Sequence, residues 1–172
     1  NPSMKPLLYY LITTYLLCTI LFSCSDDEND TYINEINKQV DTKNVIHTRN
    51  ELEIIDLVNE FRKSINIPEL QTLKIISGVA DSHTRYMVES GQVSHDNFEN
   101  RVQYLMDNAS AKSVGENVAF GYNSTQSVFN GWLNSEEHRK VIENPIYTHV
   151  GISIEINSDG RNYFTQIFIK KN

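Results

Sequence analysis

Two histidines and one carboxylate stand in segments whose local sequence predicts loop edges or helix starts. They are His95, Glu116 and His138, within the short motifs Ser-His-Asp, Gly-Glu-Asn and Ser-x-x-His-Arg. Imidazole and carboxylate groups are the side chains that most often move protons near neutral pH. Two imidazoles and a carboxylate also leave a fourth position open around zinc, as in catalytic zinc sites. These residue types predict one shared cleft that binds a ligand or a metal ion, with His95 and His138 as candidate zinc ligands.

Each of these residues also has a structural interpretation. No metal-binding spacing such as H-E-x-x-H accompanies the histidines, so zinc stays an open candidate cofactor. His95 can serve as a helix-start residue that hydrogen-bonds to the backbone. Glu116 can be a buried carboxylate, paired with Arg101 or Arg139, that holds its segment down. In that alternative the residues form a stabilising network and no active site.

Ser135 and His83 are two further polar residues with competing interpretations. Ser135 lies three residues before His138 on a predicted helix, so the two share a face and Ser135 is a candidate nucleophile. Serine is also a favoured N-cap, and two glutamates follow in the first turn. We therefore predict a capping role for Ser135, because a hydroxyl bonded to backbone amides is a poor nucleophile. His83 faces the apolar stripe of a helix, which predicts a satisfied interior histidine.

The elements that must position these residues are mostly helical. A capping box at Thr48-Arg49-Asn50-Glu51, followed by apolar residues at helical spacing, predicts a helix over residues 48–66. The same spacing predicts further helices over residues 74–90, with Gly91 as the cap, and over 98–106, 125–133 and 135–144. Residues 113–122 contain two glycines and no helical period, and they predict a loop or a short strand.

The last thirty residues change period. Residues 150–156 alternate strictly, Asp159-Gly160 supplies turn chemistry, and residues 163–170 follow, which predicts a β-hairpin. The second strand is apolar on both faces, so we expect both faces to be covered. Helices followed by an antiparallel sheet between helical layers predict an α+β fold, an α-β-α sandwich.

The N-terminal residues have the features of an export leader and are excluded from the fold. Residues 7–22 form an apolar run too short for a comfortable membrane span. The run ends in Leu-Phe-Ser-Cys at Cys24, which resembles the lipobox of bacterial lipoproteins. An ordinary signal peptide cut near Ser23 and an uncleaved anchor are the alternatives. The predicted organisation is a lipoprotein signal peptide over 1–24 with lipidation at Cys24, an acidic and polar tether over 25–46, and one domain over 47–172.

Charge and cysteine content exclude several function classes. All 22 acidic residues follow Cys24 and one of the 15 basic residues, Lys5, precedes it, so the exported part carries 14 positive and 22 negative charges, a net −8. That balance disfavours nucleic acid and electrostatic adhesion to anionic lipid. We therefore predict membrane association through acyl chains on Cys24. Because Cys18 and Cys24 both lie in the leader, the domain has no disulfide, thiolate nucleophile or cysteine zinc site.

Six segments, in order, resemble the CAP superfamily, also called SCP domains, of cysteine-rich secretory, antigen 5 and pathogenesis-related proteins. They are residues 57–62, 80–83 with Met87, 94–96, 115–119, 132–135 with His138-Arg139, and 163–168. The match spans about Arg49 to Lys170. The resemblance implies an α-β-α sandwich with a central cleft.

The same resemblance implies roles for individual residues. Eukaryotic members line the cleft with two histidines and two glutamates, and His95 and Glu116 stand at the first histidine and the first glutamate. Ser135 replaces the second glutamate, and Tyr163 replaces the strand histidine. This is the pattern of a bacterial subgroup in which His138 takes over part of the cleft. The resemblance therefore implies that these five residues line the cleft.

Taken together, the sequence predicts a lipid-anchored domain outside the cytoplasm, periplasmic or on the cell surface. Its cleft binds an unidentified extracellular or envelope ligand or a metal ion, and the pattern does not require catalysis. Besides the purely structural protein whose cleft residues form the stabilising network described above, two alternatives stay open. One is a hydrolase of extracellular or envelope substrates, metal-dependent or with His95 or His138 as the base and Glu116 orienting it. The other is a lipid- or sterol-binding module that uses apolar surface near the cleft.

Overall fold

The computed structural model describes residue 40 and residues 45–171, and every structural statement below concerns those residues. The predicted leader, Cys24 and most of the predicted tether lie outside them. The elements in chain order are α1 Arg49–Ser64, β1 Gln71–Thr72, α2 Lys74–Ser90, α3 Phe98–Ala109, β2 Ala111–Phe120, α4 Thr125–Asn134, α5 Glu136–Glu143, β3 His149–Ile156 and β4 Asn162–Lys171. In the described part of the chain, none of the helices has both the length and the apolar character that crossing a membrane requires.

Helix α1 begins at the predicted capping box. The hydroxyl of Thr48 accepts from the Glu51 amide at 3.3 Å, and the Thr48 amide donates to Oε2 of Glu51 at 2.7 Å. These two bonds satisfy amide donors that a helix start otherwise leaves free. The second carboxylate oxygen of Glu51 accepts from the amide of Ile154 at 3.0 Å. The capping box therefore also joins the start of α1 to β3.

The end of α1 is held by Arg62, which is fully buried. Its Nη1 donates to the carbonyls of Ile142 at 2.7 Å and Asn144 at 3.0 Å, and its Nε donates to Pro68 at 2.8 Å. Nη2 donates to the carbonyl of Tyr147 at 3.2 Å. Burial lowers the pKa of Arg62. Four carbonyl oxygens thus bind this guanidinium, and three of them, those of Ile142, Asn144 and Tyr147, tie α1 to the end of α5 and to the connection that leads to β3.

The sheet has the strand order β1-β3-β4-β2. Strands β3 and β4 form the predicted hairpin, with Val150 opposite Phe168 and Ile156 opposite Asn162. Strand β2 adds antiparallel to the other side of β4. The two-residue strand β1 pairs parallel with β3. The sheet is therefore mixed, whereas the sequence predicted an antiparallel one, because a two-residue strand carries no periodic signal.

Residues 111–120 form a ten-residue strand, β2, where the sequence predicted a loop or a short strand. Its polar residues Glu116 and Asn117 are buried because each finds partners far away in the chain, which local alternation cannot reveal. Gly115 is also required by packing, since a Cβ atom there would lie 2.5 Å from Oη of Tyr147. Distant contacts, and not local pattern, therefore decide that this segment is a strand.

Helices cover both faces of the sheet. The hydroxyls of Thr84 in α2 and Thr165 in β4 are hydrogen-bonded at 2.8 Å on one face. On the other face the ring of Trp132 in α4 meets the ring of Phe164 edge-on at 6.3 Å. Neighbouring residues of a strand point to opposite faces. Helices α2 and α3 therefore form one layer and α1, α4 and α5 the other, which confirms the predicted α+β fold.

Candidate functional site

The centre of the site is an ion pair between Glu116 of β2 and Arg101 of α3. The Arg101 side chain is fully buried, and that of Glu116 is 1% exposed. Nε of Arg101 donates to Oε2 at 2.8 Å and Nη2 to Oε1 at 2.6 Å, a bidentate arrangement. Burial alone would raise the pKa of Glu116, but the hydrogen bond from His95 and the charge of Arg101 outweigh it, and the net shift is downward. Glu116 is therefore an ionised, buried anchor.

His95 lies in the loop between α2 and α3 and is bound to that anchor. Its Nδ1 is 2.8 Å from Oε1 of Glu116, and its side chain is 51% exposed. Because the ionised carboxylate can only accept, the hydrogen-bond network assigns a proton to Nδ1. In the neutral ring, Nε2 is then an unprotonated nitrogen that can accept a hydrogen bond, take a proton or bind a metal.

Two buried side chains fix the loop on either side of His95. Nε2 of His83 donates to the carbonyl of Ser94 at 2.8 Å. Nη1 of Arg101 donates to the carbonyl of Asp96 at 2.6 Å. The carbonyls of the residues before and after His95 are therefore both bound, which holds the backbone around His95 in place before anything binds.

His83 is a site residue that the sequence interpretation missed. It is interior, as predicted, but its Nε2 lies 3.9 Å from Oε1 of Glu116 and its Nδ1 has no hydrogen-bond partner among the described residues. Burial first, and the charge of Arg101 second, lower the pKa of His83 to about 4, so the ring is neutral at physiological pH. A histidine on an apolar helix stripe gives no local signal of such a neighbourhood. Arg101, in contrast, was one of two arginines considered as partners for Glu116.

His138 approaches from the other helical layer, on α5. Burial lowers its pKa, and the nearby His95 lowers it further. Its backbone carbonyl accepts from Nδ2 of Asn117 at 3.2 Å. The two histidines are therefore close enough for the charge of one to affect the other, while β2 lies between the layers that carry them.

Ser135 and Tyr163, also predicted to line the cleft, stand in different surroundings. Ser135 occupies the N-cap position of α5 as predicted, but its side chain makes no capping hydrogen bond. The objection that capping would occupy the hydroxyl is therefore removed. Tyr163 is buried beside Met87 and its ring lies 4.4 Å from that of Phe120. Its role in ligand binding stays a prediction.

The geometry of these residues limits how they could hold zinc. Both oxygens of Glu116 accept from Arg101, and one also bonds His95, so the carboxylate is not free to serve as a ligand. Within residue 40 and residues 45–171, no group of three or more histidine, cysteine, aspartate or glutamate side chains is arranged to hold a metal. A zinc ion here would depend on His95 and His138 together with ligands from outside the protein.

A cavity of about 320 Å³ lies elsewhere, beside β3. Its lining includes His47, Glu51, Ser77, Asp81 and Glu155. Nε2 of His47 is 2.8 Å from Oγ of Ser77, a contact that attaches the segment before α1 to α2. None of the predicted site residues lines this cavity, so its size says nothing about the histidine site.

A four-stranded sheet between helical layers, with a buried carboxylate that holds a loop histidine, defines an α+β domain of the SCP class. Residues 55–168 match the CAP family, described as the cysteine-rich secretory protein family, and the chain belongs to that family.

Individual relatives agree with that assignment. The chain is 34% identical over 131 residues to YlbC, an uncharacterized membrane protein of Bacillus subtilis (strain 168), covering 73% of this chain and 36% of YlbC. It spans less than half the length of the curated relatives it matches. An extracellular SCP-domain protein from Bacillus anthracis str. Ames is 31% identical, with a TM-score of 0.62, over 71% of this chain and 40% of that one. An outer surface protein from Borrelia burgdorferi shares the fold at 23% identity and a TM-score of 0.65, over 74% of this chain and 97% of that one.

Proposed function

We propose that this chain is an extracellular, lipid-anchored binding domain whose His95–Glu116–His138 site takes a ligand or a metal ion. Two observations support its location: the apolar leader that ends at Cys24, and the names of two relatives, one an extracellular protein and the other an outer surface protein. The coarser statement, membership of the CAP family, does not depend on this proposal.

The observation that carries the binding proposal is the exposed, oriented imidazole of His95. Burying the Glu116–Arg101 pair has a desolvation cost that a buried ion pair often does not recover. A network that only stabilises the fold would not need to hold a half-exposed ring in one tautomer. Because the ring is already oriented, less side-chain entropy is lost when Nε2 contacts a ligand, which favours binding.

A second candidate is an acid–base hydrolase, and the carboxylate–imidazole pair is the observation that favours it. A carboxylate on Nδ1 fixes the tautomer in which Nε2 acts as a base, as in serine hydrolases. Arg101 balances the charge of Glu116, however, so the carboxylate stabilises an imidazolium less than an unpaired one would. Ser135 remains a candidate nucleophile. We rank binding first because of this charge compensation.

Binding is tested by calorimetry with two probes, Zn²⁺ and soluble glycan–peptide fragments of cell wall. The wild-type domain is compared with His95→Ala and with a matched control, His149→Ala, which removes a histidine of β3. We expect heat from one probe in the wild type and the control, and none in His95→Ala. The proposal is refuted if neither probe binds, or if His95→Ala binds as the wild type does.

Catalysis is tested on the same proteins with an ester, a peptide and intact cell wall. Turnover that disappears in His95→Ala and persists in His149→Ala would replace the binding proposal with the hydrolase. An absence of turnover together with binding supports the ranking given above.

The anchor is tested separately in cells. Full-length protein should partition into detergent phase, and Cys24→Ala should move to the aqueous phase because it lacks acyl chains. An unaltered partition of Cys24→Ala would refute lipidation at that residue. Protease treatment of intact cells then distinguishes a surface location from a periplasmic one.

A further inference from the structure

Glu116 and Asn117 are consecutive residues in β2, and their side chains project from opposite faces of the sheet. Glu116 points toward the layer of α2 and α3, where it binds His95 at 2.8 Å. Asn117 points toward α5, where its Nδ2 donates to the carbonyl of His138 at 3.2 Å. Consecutive strand residues alternate between faces, so this division follows from their adjacency.

The surroundings of Asn117 argue against a role in packing alone. Asn117 is fully buried, and so is Gln166, its register partner in β4. Their side chains meet through Nδ2 and Oε1 at 3.4 Å, while Oδ1 of Asn117 and Nε2 of Gln166 have no partner among the described residues. Leaving buried polar atoms unpaired is unfavourable, and an apolar pair of similar shape would avoid that cost. The amide donor of Asn117 is the feature that an apolar side chain could not supply.

We propose that Asn117 is a positioning residue of the site, and that it holds His138 on one face of β2 as Glu116 holds His95 on the other. One rigid strand then sets how far the ring of His95 lies from the backbone of His138, because the residues that bind them are consecutive and their Cα atoms lie about 3.8 Å apart. This inference deepens the proposed function and rests on His138 belonging to that site. It assigns separate tasks to the two polar residues of the Gly-Glu-Asn motif.

The test compares Asn117→Asp and Asn117→Ala with the wild type by histidine-ring ¹H–¹³C NMR at one pH, without added metal or ligand. Aspartate keeps the shape of asparagine but loses the donor when ionised. We expect the ring signals of His138 to shift or broaden in both variants, while those of His95 stay at their wild-type positions. The control is Asn59→Ala, since Asn59 in α1 donates in the same way to a backbone carbonyl, that of Leu70 at 3.0 Å, and has no hydrogen bond to either histidine.

The control should lower the melting temperature and leave both rings unchanged, which separates positioning from general destabilisation. Asn117 variants that melt earlier but keep the wild-type His138 signals would overturn the proposal. If neither variant folds, NMR of the wild-type protein provides the test. Solvent-protected side-chain amide protons of Asn117, with nuclear Overhauser contacts to the start of α5, support the proposal, and their absence overturns it. No outcome depends on ligand binding, so a failed calorimetric test leaves this result intact.

Discussion

Replacing Glu116 with glutamine removes one charge from a buried pair and leaves the other in place. The Arg101 guanidinium then has no counter-charge in a fully buried position. Breaking a buried ion pair in this way costs about 3–5 kcal/mol. For a domain of this size we expect a fall of about 10–20 °C in melting temperature. Thermal and urea unfolding followed by circular dichroism measure both quantities.

The double variant Arg101→Met with Glu116→Gln provides the sharper comparison. It contains neither charge, so it should be more stable than Glu116→Gln alone. Stabilities that are additive across the wild type, Glu116→Gln, Arg101→Met and the double variant would contradict the ion-pair explanation. The recovered stability should not restore the orientation of His95, which separates folding from function.

The pH dependence supplies an independent check on the same pair. Since the folded pKa of Glu116 lies below its ordinary value of 4.5, its stabilisation is present above that value and is lost as the pH falls through the folded pKa. The wild type should therefore lose stability on acidification below about pH 4.5 more steeply than Glu116→Gln. Equal slopes in the two proteins would refute the argument.

Three further predictions concern other buried or paired groups. Arg62→Met should cost at least about 3 kcal/mol in urea unfolding, because four carbonyl groups lose a charged donor; Arg85→Met, whose side chain is 64% exposed, should change stability little. His83→Gln should weaken the rise in stability between about pH 4 and pH 6.5, because folded His83, with a pKa of about 4, stays neutral there while the unfolded chain takes up a proton. Glu155→Gln should raise the melting temperature at pH 7 and give no advantage below about pH 4.5. Burial, and then Asp81, raise the pKa of Glu155, so its contribution is favourable only at pH values where it stays protonated. A Glu155→Gln melting temperature equal to the wild type at pH 7, or an unchanged pH slope in His83→Gln, would contradict these explanations.

The parts of the fold that were predicted correctly are those with local signals. The capping box at Thr48 and the Gly91 cap, which adopts a left-handed φ of 69°, fix helix ends through neighbouring residues. The strict alternation of apolar and polar residues over 150–156 predicted the hairpin, because it is also a local signal. Strand β2 was predicted only as a loop or a short strand, because Gly115 and Glu116 are explained by Tyr147 and Arg101, which lie elsewhere in the chain.

The residues of the site also divide into those that local sequence signals could predict and those that depend on distant contacts. A shared cleft for His95 and Glu116 was predicted from residue type and family resemblance, and Nδ1 of His95 lies 2.8 Å from Oε1 of Glu116. The role of these residues in ligand binding stays a prediction. The position of His83 beside Glu116 was missed, because an apolar stripe on a helix predicts that a residue is buried but does not predict which residues surround it. The donor role of Asn117 was missed because it depends on which face of β2 meets α5.

The attachment of the chain ahead of α1 has a consequence for how the domain is displayed. His47 and Glu51 fasten that end to α2 and β3, whereas the histidine site is built on β2, two strand positions away across β4. Two inter-strand spacings amount to about 10 Å. A surface that held the protein through its amino-terminal end would thus attach on the β3 side of the sheet, and the two histidines would lie beside β2 at the opposite edge.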